Sequence, residues 1–188
     1  NSDFGFFTDH FSGAGINPEW TSQTGTWVLN SGSLLQNDEA VGNSNIYADL
    51  AQDDQHAYLY HWQGQINGTG TNRRAGLHFF CSDPTLDHRG DSYMVFWRAD
   101  QNKCQIYKVT SNAIVLMTDD DVIVDPNITY DFKIYFNPST GLIKAYLNDV
   151  LVSEWTDPSP FAAGNSISPR TGNALGSYDN LKVYKSRT

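Results

Sequence analysis

The chain is 188 residues long, carries a formal net charge of −9, and is 18% charged and 13% aromatic. At that length a single domain over residues 1–188 can bury an ample core, and the acidic balance argues against a nucleic-acid partner. No run approaches the roughly 20 apolar residues that a membrane-spanning helix needs, so no membrane insertion is expected.

The opening segment Asn1–Ser12 contains FGFFTDHF and reads as a short aromatic strand ending near Asp9. A loop holding Trp20 follows, and Thr26–Gln36 (TWVLNSGSLLQ) reads as a hairpin turning at Asn30-Ser31-Gly32. Ser44–Leu50 is another short strand. His56–Ile66 alternates strictly, with Tyr58, Tyr60 and Trp62 on one side and Leu59, His61 and Gln63 on the other.

The stretch Arg73–Val109 organises the middle of the chain. Its apolar-aromatic runs Gly76–Cys81, Ser92–Arg98 and Cys104–Val109 have strand composition, and polar segments Ser82–Asp91 and Ala99–Lys103 separate them. They predict an antiparallel meander. Flanking the second hairpin with 98 and 104 sets Val95 opposite Tyr107; flanking the first with 81 and 92 sets Phe79 opposite Met94 and His78 opposite Val95. Alternation then gives a core face of Leu77, Phe79, Met94, Phe96 and Ile106. The other face carries His78, Phe80, Tyr93, Trp97, Gln105 and Tyr107. A slip of one residue exchanges the two. An aromatic face interleaved with hydrogen-bonding groups is costly to leave in water unless something docks there. The same register holds Cys81 and Cys104 roughly 20 Å apart at about 3.3 Å per residue. A disulfide needs Cα atoms within about 7 Å, so two free thiols are expected.

Ala113–Met117 is a short strand before the acidic turn Asp119–Asp121. Tyr130–Phe136, Asn137-Pro138-Ser139-Thr140-Gly141 and Leu142–Leu147 form the clearest hairpin, because Pro fixes φ early in the turn and Gly supplies positive φ near its end. Phe132, Ile134, Phe136, Ile143, Ala145 and Leu147 are its predicted core positions. Asn148-Asp149 turns into Val150–Trp155, and Asn165–Ser168 and Ala174–Tyr184 close the chain. About a dozen short strands and no helical stretch predict an all-β fold, a two-sheet antiparallel β-sandwich or jelly roll.

Three passages carry a family resemblance. DHFSG…W…GTWVLNSGSLLQ resembles the opening of laminin G-like jelly rolls, YDFKIYFNPSTGLIKAYLNDVLV resembles their sixth-to-seventh strand unit, and SYDNLKVY resembles their closing strand. The resemblance covers nearly the whole chain and is to the concanavalin A-like, laminin G-like superfamily. The meander is similar to non-catalytic accessory modules of secreted bacterial enzymes that act on polysaccharides and cell walls. The resemblance implies a polysaccharide ligand, a secreted or cell-surface location and a place in a larger multidomain protein. The start at Asn1 likewise reads as a processed or excised piece.

Catalysis is not expected. Jelly rolls that cleave glycosides use paired carboxylates, one to protonate and one to attack, whereas Glu19, Glu39 and Glu154 are isolated. His78, Tyr93, Arg98 and Tyr107 only loosely echo a lyase set, and neither a nucleophile elbow nor a metalloprotease motif occurs.

The candidate ligand-binding residues are His61, Gln63, His78, Trp97, Gln105 and Tyr107, with Arg73, Arg74 and Arg98 at the edges. Aromatic rings cover the apolar faces of sugars, and planar amide, imidazole and guanidinium groups bind their hydroxyls. Arginine also pairs oxyanions two at a time, which admits an anionic polysaccharide. The competing reading packs Trp97 and Tyr107 between sheets and leaves the arginines solvated. The resemblance further implies a structural Ca²⁺ between the N-terminal segment and the last strand, here at Asp9 and Asp179. Asp83, Asp87 and Asp91 offer a second place, although turn chemistry explains the same aspartates without metal. Arg89-Gly90-Asp91 spells an adhesion tripeptide that Gly90 explains as a turn. The expected function is a non-catalytic carbohydrate-binding module tethering a secreted or surface protein to a polysaccharide. A protein- or peptide-binding adhesion module and a structural spacer are the alternatives.

Overall fold

The computed structural model describes residues 6–187, so the first part of the predicted strand Asn1–Ser12 lies outside the described residues. Among those described, every regular element is a strand. The first seven are β1 (Phe7–Asp9), β2 (Trp20–Thr24), β3 (Trp27–Asn30), β4 (Ser33–Gln36), β5 (Asn45–Asp49), β6 (Tyr58–Gly64) and β7 (Ile66–Asn67). The meander supplies β8 (Arg74–Cys81), β9 (Ser92–Arg98), β10 (Lys103–Thr110) and β11 (Ala113–Asp121). The rest are β12 (Tyr130–Asn137), β13 (Leu142–Leu147), β14 (Val150–Thr156), β15 (Ser166–Gly172) and β16 (Leu175–Lys185).

They form two antiparallel sheets packed as a β-sandwich, the architecture that the alternation predicts. The larger runs β14-β13-β12-β6-β16-β4-β3, with β1 and β7 also on β16. The smaller runs β11-β10-β9-β8-β15-β5-β2. Side chains from both inner faces meet in one core. Phe132 stacks on Trp62 at 5.3 Å and takes the edge of Trp97 at 4.8 Å, while Phe79, Tyr93 and Phe136 form a second aromatic group within 5.8 Å of one another. All six core positions predicted for the β12–β13 hairpin are buried, as are Tyr58, Tyr60 and Trp62. The Asn148-Asp149 turn has positive φ at both residues, 48° and 65°, as a two-residue hairpin of primed type requires. Cys81 and Cys104 are buried free thiols, and burial pushes both up in pKa.

The expected meander register is corrected by one residue on each side of β9. Leu77 pairs with Val95 and Phe79 with Tyr93; on the other side Val95 pairs with Ile106 and Arg98 with Lys103. The cause at the first hairpin is Phe80, whose φ of 54° puts an extra residue into β8. Both Phe79 and Phe80 therefore reach Phe136 in the core. Beyond that bulge Ser82 N donates to Asp91 O at 2.9 Å, which is the index sum the sequence suggested. Because β9 shifts against both neighbours, its two faces swap. Tyr93, Val95 and Trp97 point inward, and Met94, Phe96 and Arg98 point outward.

β11 is the free edge of the smaller sheet. Val115 and Leu116 are exposed there, and Asp119–Asp121 closes the strand.

Candidate functional site

Strand register lays the outward face of the smaller sheet out as rows. Arg74, Arg98, Lys103 and Asp121 are successive cross-strand partners. The next row is Arg170, Gly76, Phe96, Gln105 and Asp119, and the third is Ser168, His78, Met94 and Tyr107. Gly76 leaves a gap in the middle row, and a Cβ there would lie 1.8 Å from Val95 O. Across that gap the guanidinium carbons of Arg74 and Arg170 lie 5.7 and 5.3 Å from the centre of the Phe96 ring. Tyr107 meets Phe96 edge-on at 6.1 Å. Phe96 is thus the floor of the face.

Arg170 is 5% exposed. Its Nη1 donates to His78 Nε2 at 3.0 Å and His88 Nδ1 at 3.2 Å, and lies 3.8 Å from Met94 Sδ. An arginine has only donors, so both imidazole nitrogens accept and both rings are neutral. Burial drives His78 well below the usual histidine range, and Arg89 and Arg170 push it further. His88 is lowered by burial and then by Arg170. Burial, with repulsion from Arg89 and Arg74, brings Arg170 down to about 9, still protonated at neutral pH. Its Nε is buried without a hydrogen-bond partner among the described residues.

Arg74 Nη1 donates to Asn72 O at 2.7 Å and Nη2 to Gly42 O at 3.0 Å. Burial, then the neighbouring Arg98, lowers its pKa. Arg98 donates to Asn72 Oδ1, and its Nε lies 3.6 Å from Asp100 Oδ1. No described carboxylate comes within ion-pairing distance of Arg74 or Arg170. Tyr107 Oη donates to Gln105 Oε1 at 2.6 Å, and Gln105 Nε2 to Asp119 Oδ1 at 2.8 Å. Rotamers on this face are fixed by that chain and by the stacked guanidinium groups.

Of the candidate binding residues, Arg74, His78, Arg98, Gln105 and Tyr107 share this face. Arg73 sits at its rim, donating to Gly70 O, in a loop where Glu39 accepts from Thr69 N at 2.6 Å and Gly70 N at 2.7 Å. Three candidates lie elsewhere. Trp97 is fully buried in the core, because the face swap of β9 turns it inward. His61 and Gln63 are on the outward side of the larger sheet, where His61 Nε2 meets Asp131 Oδ1 at 2.6 Å and Gln63 accepts from Asn180 Nδ2 at 3.2 Å. Local alternation put them away from the core but carries no information on which sheet they belong to. Phe96 and Arg170 replace them. The same face swap hid Phe96. Arg170 lies beyond the predicted strand Asn165–Ser168; β15 continues through Pro169 to Gly172, and because β5 pairs only with Ser166 and Ile167 the missing N–H of Pro169 interrupts no ladder there.

The two aspartates expected to share Ca²⁺ do not converge. Asp9 pairs with Leu181, a core residue, so its side chain turns between the sheets. Its carboxylate accepts from Phe11 N at 2.7 Å and Trp20 Nε1 at 2.8 Å, beside a cavity of about 400 Å³ lined by Ser12, Gly13 and Asn17. Asp179 pairs with outward-facing Gln63 and accepts from Asn180 N. The pair therefore does not fit one shared ion. In the second place, Asp83 accepts from Thr85 N and Oγ1, and Asp91 from Ser111 N. Among the described residues no three acidic, His or Cys side chains gather as a metal site would require. Arg89 is fully buried, bonded to Ser168 Oγ, Asn43 Oδ1, Asp87 O and Ser44 O, so the adhesion tripeptide is not displayed.

No protein-family model and no curated protein sequence matches the chain. Solved structures do. The carbohydrate-binding module CBM66 from Bacillus subtilis superposes with a TM-score of 0.73 at 19% identity, over 88% of this chain and 95% of that one. The carbohydrate recognition domain of Emp47p gives 0.66 at 12% identity, over 100% and 97%. Bacillus licheniformis β-glucanase gives 0.67 at 13% identity, over 96% and 98%. With the two antiparallel sheets in place, the chain has the two-sheet jelly-roll fold of these structures.

Proposed function

We propose that this chain is a non-catalytic carbohydrate-binding module that holds a polysaccharide on the outward face of β8, β9, β10 and β15. In this reading it tethers a secreted or cell-surface protein, of which it is one domain, to that polymer. One observation carries the reading: the partly exposed Arg74, Arg98 and Tyr107 side chains sit at fixed strand positions around the buried Phe96 ring, which suits the hydroxyls and apolar faces of sugars. The reading is non-catalytic because the carboxylates nearest this face are held at its edges by cations and an amide, rather than facing each other across the Phe96–Tyr107 pair. Asp100 is held by Arg98, Asp119 by Gln105 and Lys103, and Asp121 by Lys103. A glycosidase needs two carboxyl groups about 5 to 10 Å apart across one bond.

Affinity electrophoresis over neutral, uronic and sulfated polysaccharides tests it, run with calcium and with chelator. At least one polymer should retard the protein, and Tyr107→Ala should weaken that retardation about tenfold, equivalent to about 1.4 kcal/mol. Retardation should be the same in both metal conditions, because Asp9 and Asp179 face opposite ways. Loss in chelator would bring calcium into the site. Migration unchanged in every gel would transfer the function to protein binding or spacing.

A further inference from the structure

The chain has 21 acidic and 12 basic side chains, so acids to neutralise an arginine cluster are plentiful. At this face one of them, Asp100, lies 3.6 Å from Arg98, while Arg74 and Arg170 have none within ion-pairing distance among the described residues. Asp119 and Asp121 lie at its β11 end, on Gln105 and Lys103. Arg170 and Arg74 meet backbone carbonyls, imidazoles, a side-chain amide and the Phe96 ring, and no carboxylate pairs with either. Burying a cation without a counter-ion is costly, and here neighbouring arginines repel one another as well. Such a cluster is maintained against its own electrostatics.

Resting on the carbohydrate reading of this face, we propose that the ligand is an acidic glycan whose oxyanion, a sugar carboxylate or a sulfate ester, docks among Arg170, Arg74 and Arg98 over the Phe96 floor. The stacked guanidinium groups are pre-oriented, so their N–H edges can pair oxyanions without a further loss of rotamer freedom. Tyr107, beside the cluster and partly exposed, takes the apolar face of the same sugar. The ligand supplies the negative charge that Arg74 and Arg170 lack. General attraction cannot do this work: at net −9 the whole molecule repels a polyanion.

Three probes separate the possibilities: polygalacturonate, a sulfated galactan, and the same galactan without sulfate. One or both acidic polymers should retard the protein, with retention falling as salt rises, and the neutral galactan should bind at least tenfold more weakly. Arg74→Gln, at the half-buried rim, should weaken retention about tenfold, the usual scale for a charge-assisted pair. Arg170→Gln should do at least as much, with circular dichroism confirming the fold. Lys144→Gln, on β13 of the other sheet, should change nothing. If the neutral galactan is held as tightly as the acidic polymers, the oxyanion inference fails and the carbohydrate reading stands. If none of the polymers is held in any gel, both fall. If Arg74→Gln retains an acidic polymer like the parent protein, the arginine subsite is wrong.

Discussion

Trp97 and Tyr107 look alike in the sequence, as aromatic residues on successive strands of the meander, and their surroundings separate them. Trp97 sits against Trp62 at 5.6 Å and Phe132 at 4.8 Å in the dry interior. Truncating such a side chain forfeits both transfer energy and packing, so Trp97→Ala should lower unfolding stability by about 3–5 kcal/mol in a urea titration. The fraction that remains folded should bind glycan as before. A loss below about 1 kcal/mol would return Trp97 to the surface and restore the face assignment first read from the sequence. Tyr107 is partly exposed and its hydroxyl is fixed by Gln105, so its truncation belongs to binding rather than to folding.

β9 decides that difference, and its register is testable by cross-linking. Arg98 and Lys103 are Cα partners, and antiparallel partners lie about 4.5–5.5 Å apart, within reach of a disulfide. Arg98→Cys with Lys103→Cys should therefore oxidise to a cross-linked hairpin. Arg98→Cys alone, facing native Cys104 in the register first inferred, should not. The reverse result would shift β9 by one residue and exchange its faces. The sequence specified elements better than their partners. The β12–β13 hairpin was readable because Asn137-Pro138 and Gly141 mark its turn and strict alternation marks its core. The meander was readable as three strands, but a bulge at Phe80 is invisible to an alternation count, since it costs one residue and no change of composition. Arg170 falls two residues past the predicted strand Asn165–Ser168, which in the structure runs on through Pro169 where β5 stops short. Which outward residues share a sheet was equally beyond reach, as His61 and His78 show: both point away from the core, from opposite sides of the sandwich.

Across the whole molecule, acid acts on stability in one direction. The folded pKa values of His78 and His88 lie below the unfolded value, so below about pH 6.5 the unfolded chain binds protons that the native cluster refuses. Arg170 from β15 and Arg89 from the 82–91 loop face these rings and keep them neutral, with Asp87 a weaker opposing charge at His88. Stability is then lost as pH falls. Lower still, carboxylates held down in the native state, Asp53 by Lys185 and His56 and Glu39 by the Gly70 and Thr69 amides, take up protons on unfolding and extend the loss. Chemical denaturation should show a lower midpoint at pH 5 than at pH 7, and the difference should shrink in a His78→Gln/His88→Gln variant. Equal midpoints in the parent protein would refute the neutral-histidine cluster. The edge strand β11 has a consequence at the same scale. Val115 and Leu116 are exposed on this edge strand, and negative charge of the kind that disfavours pairing with a second chain is concentrated in Asp119–Asp121 at its end. Salt screens that charge, so association of chains along this edge should grow with ionic strength, which size-exclusion chromatography at low and high salt would register.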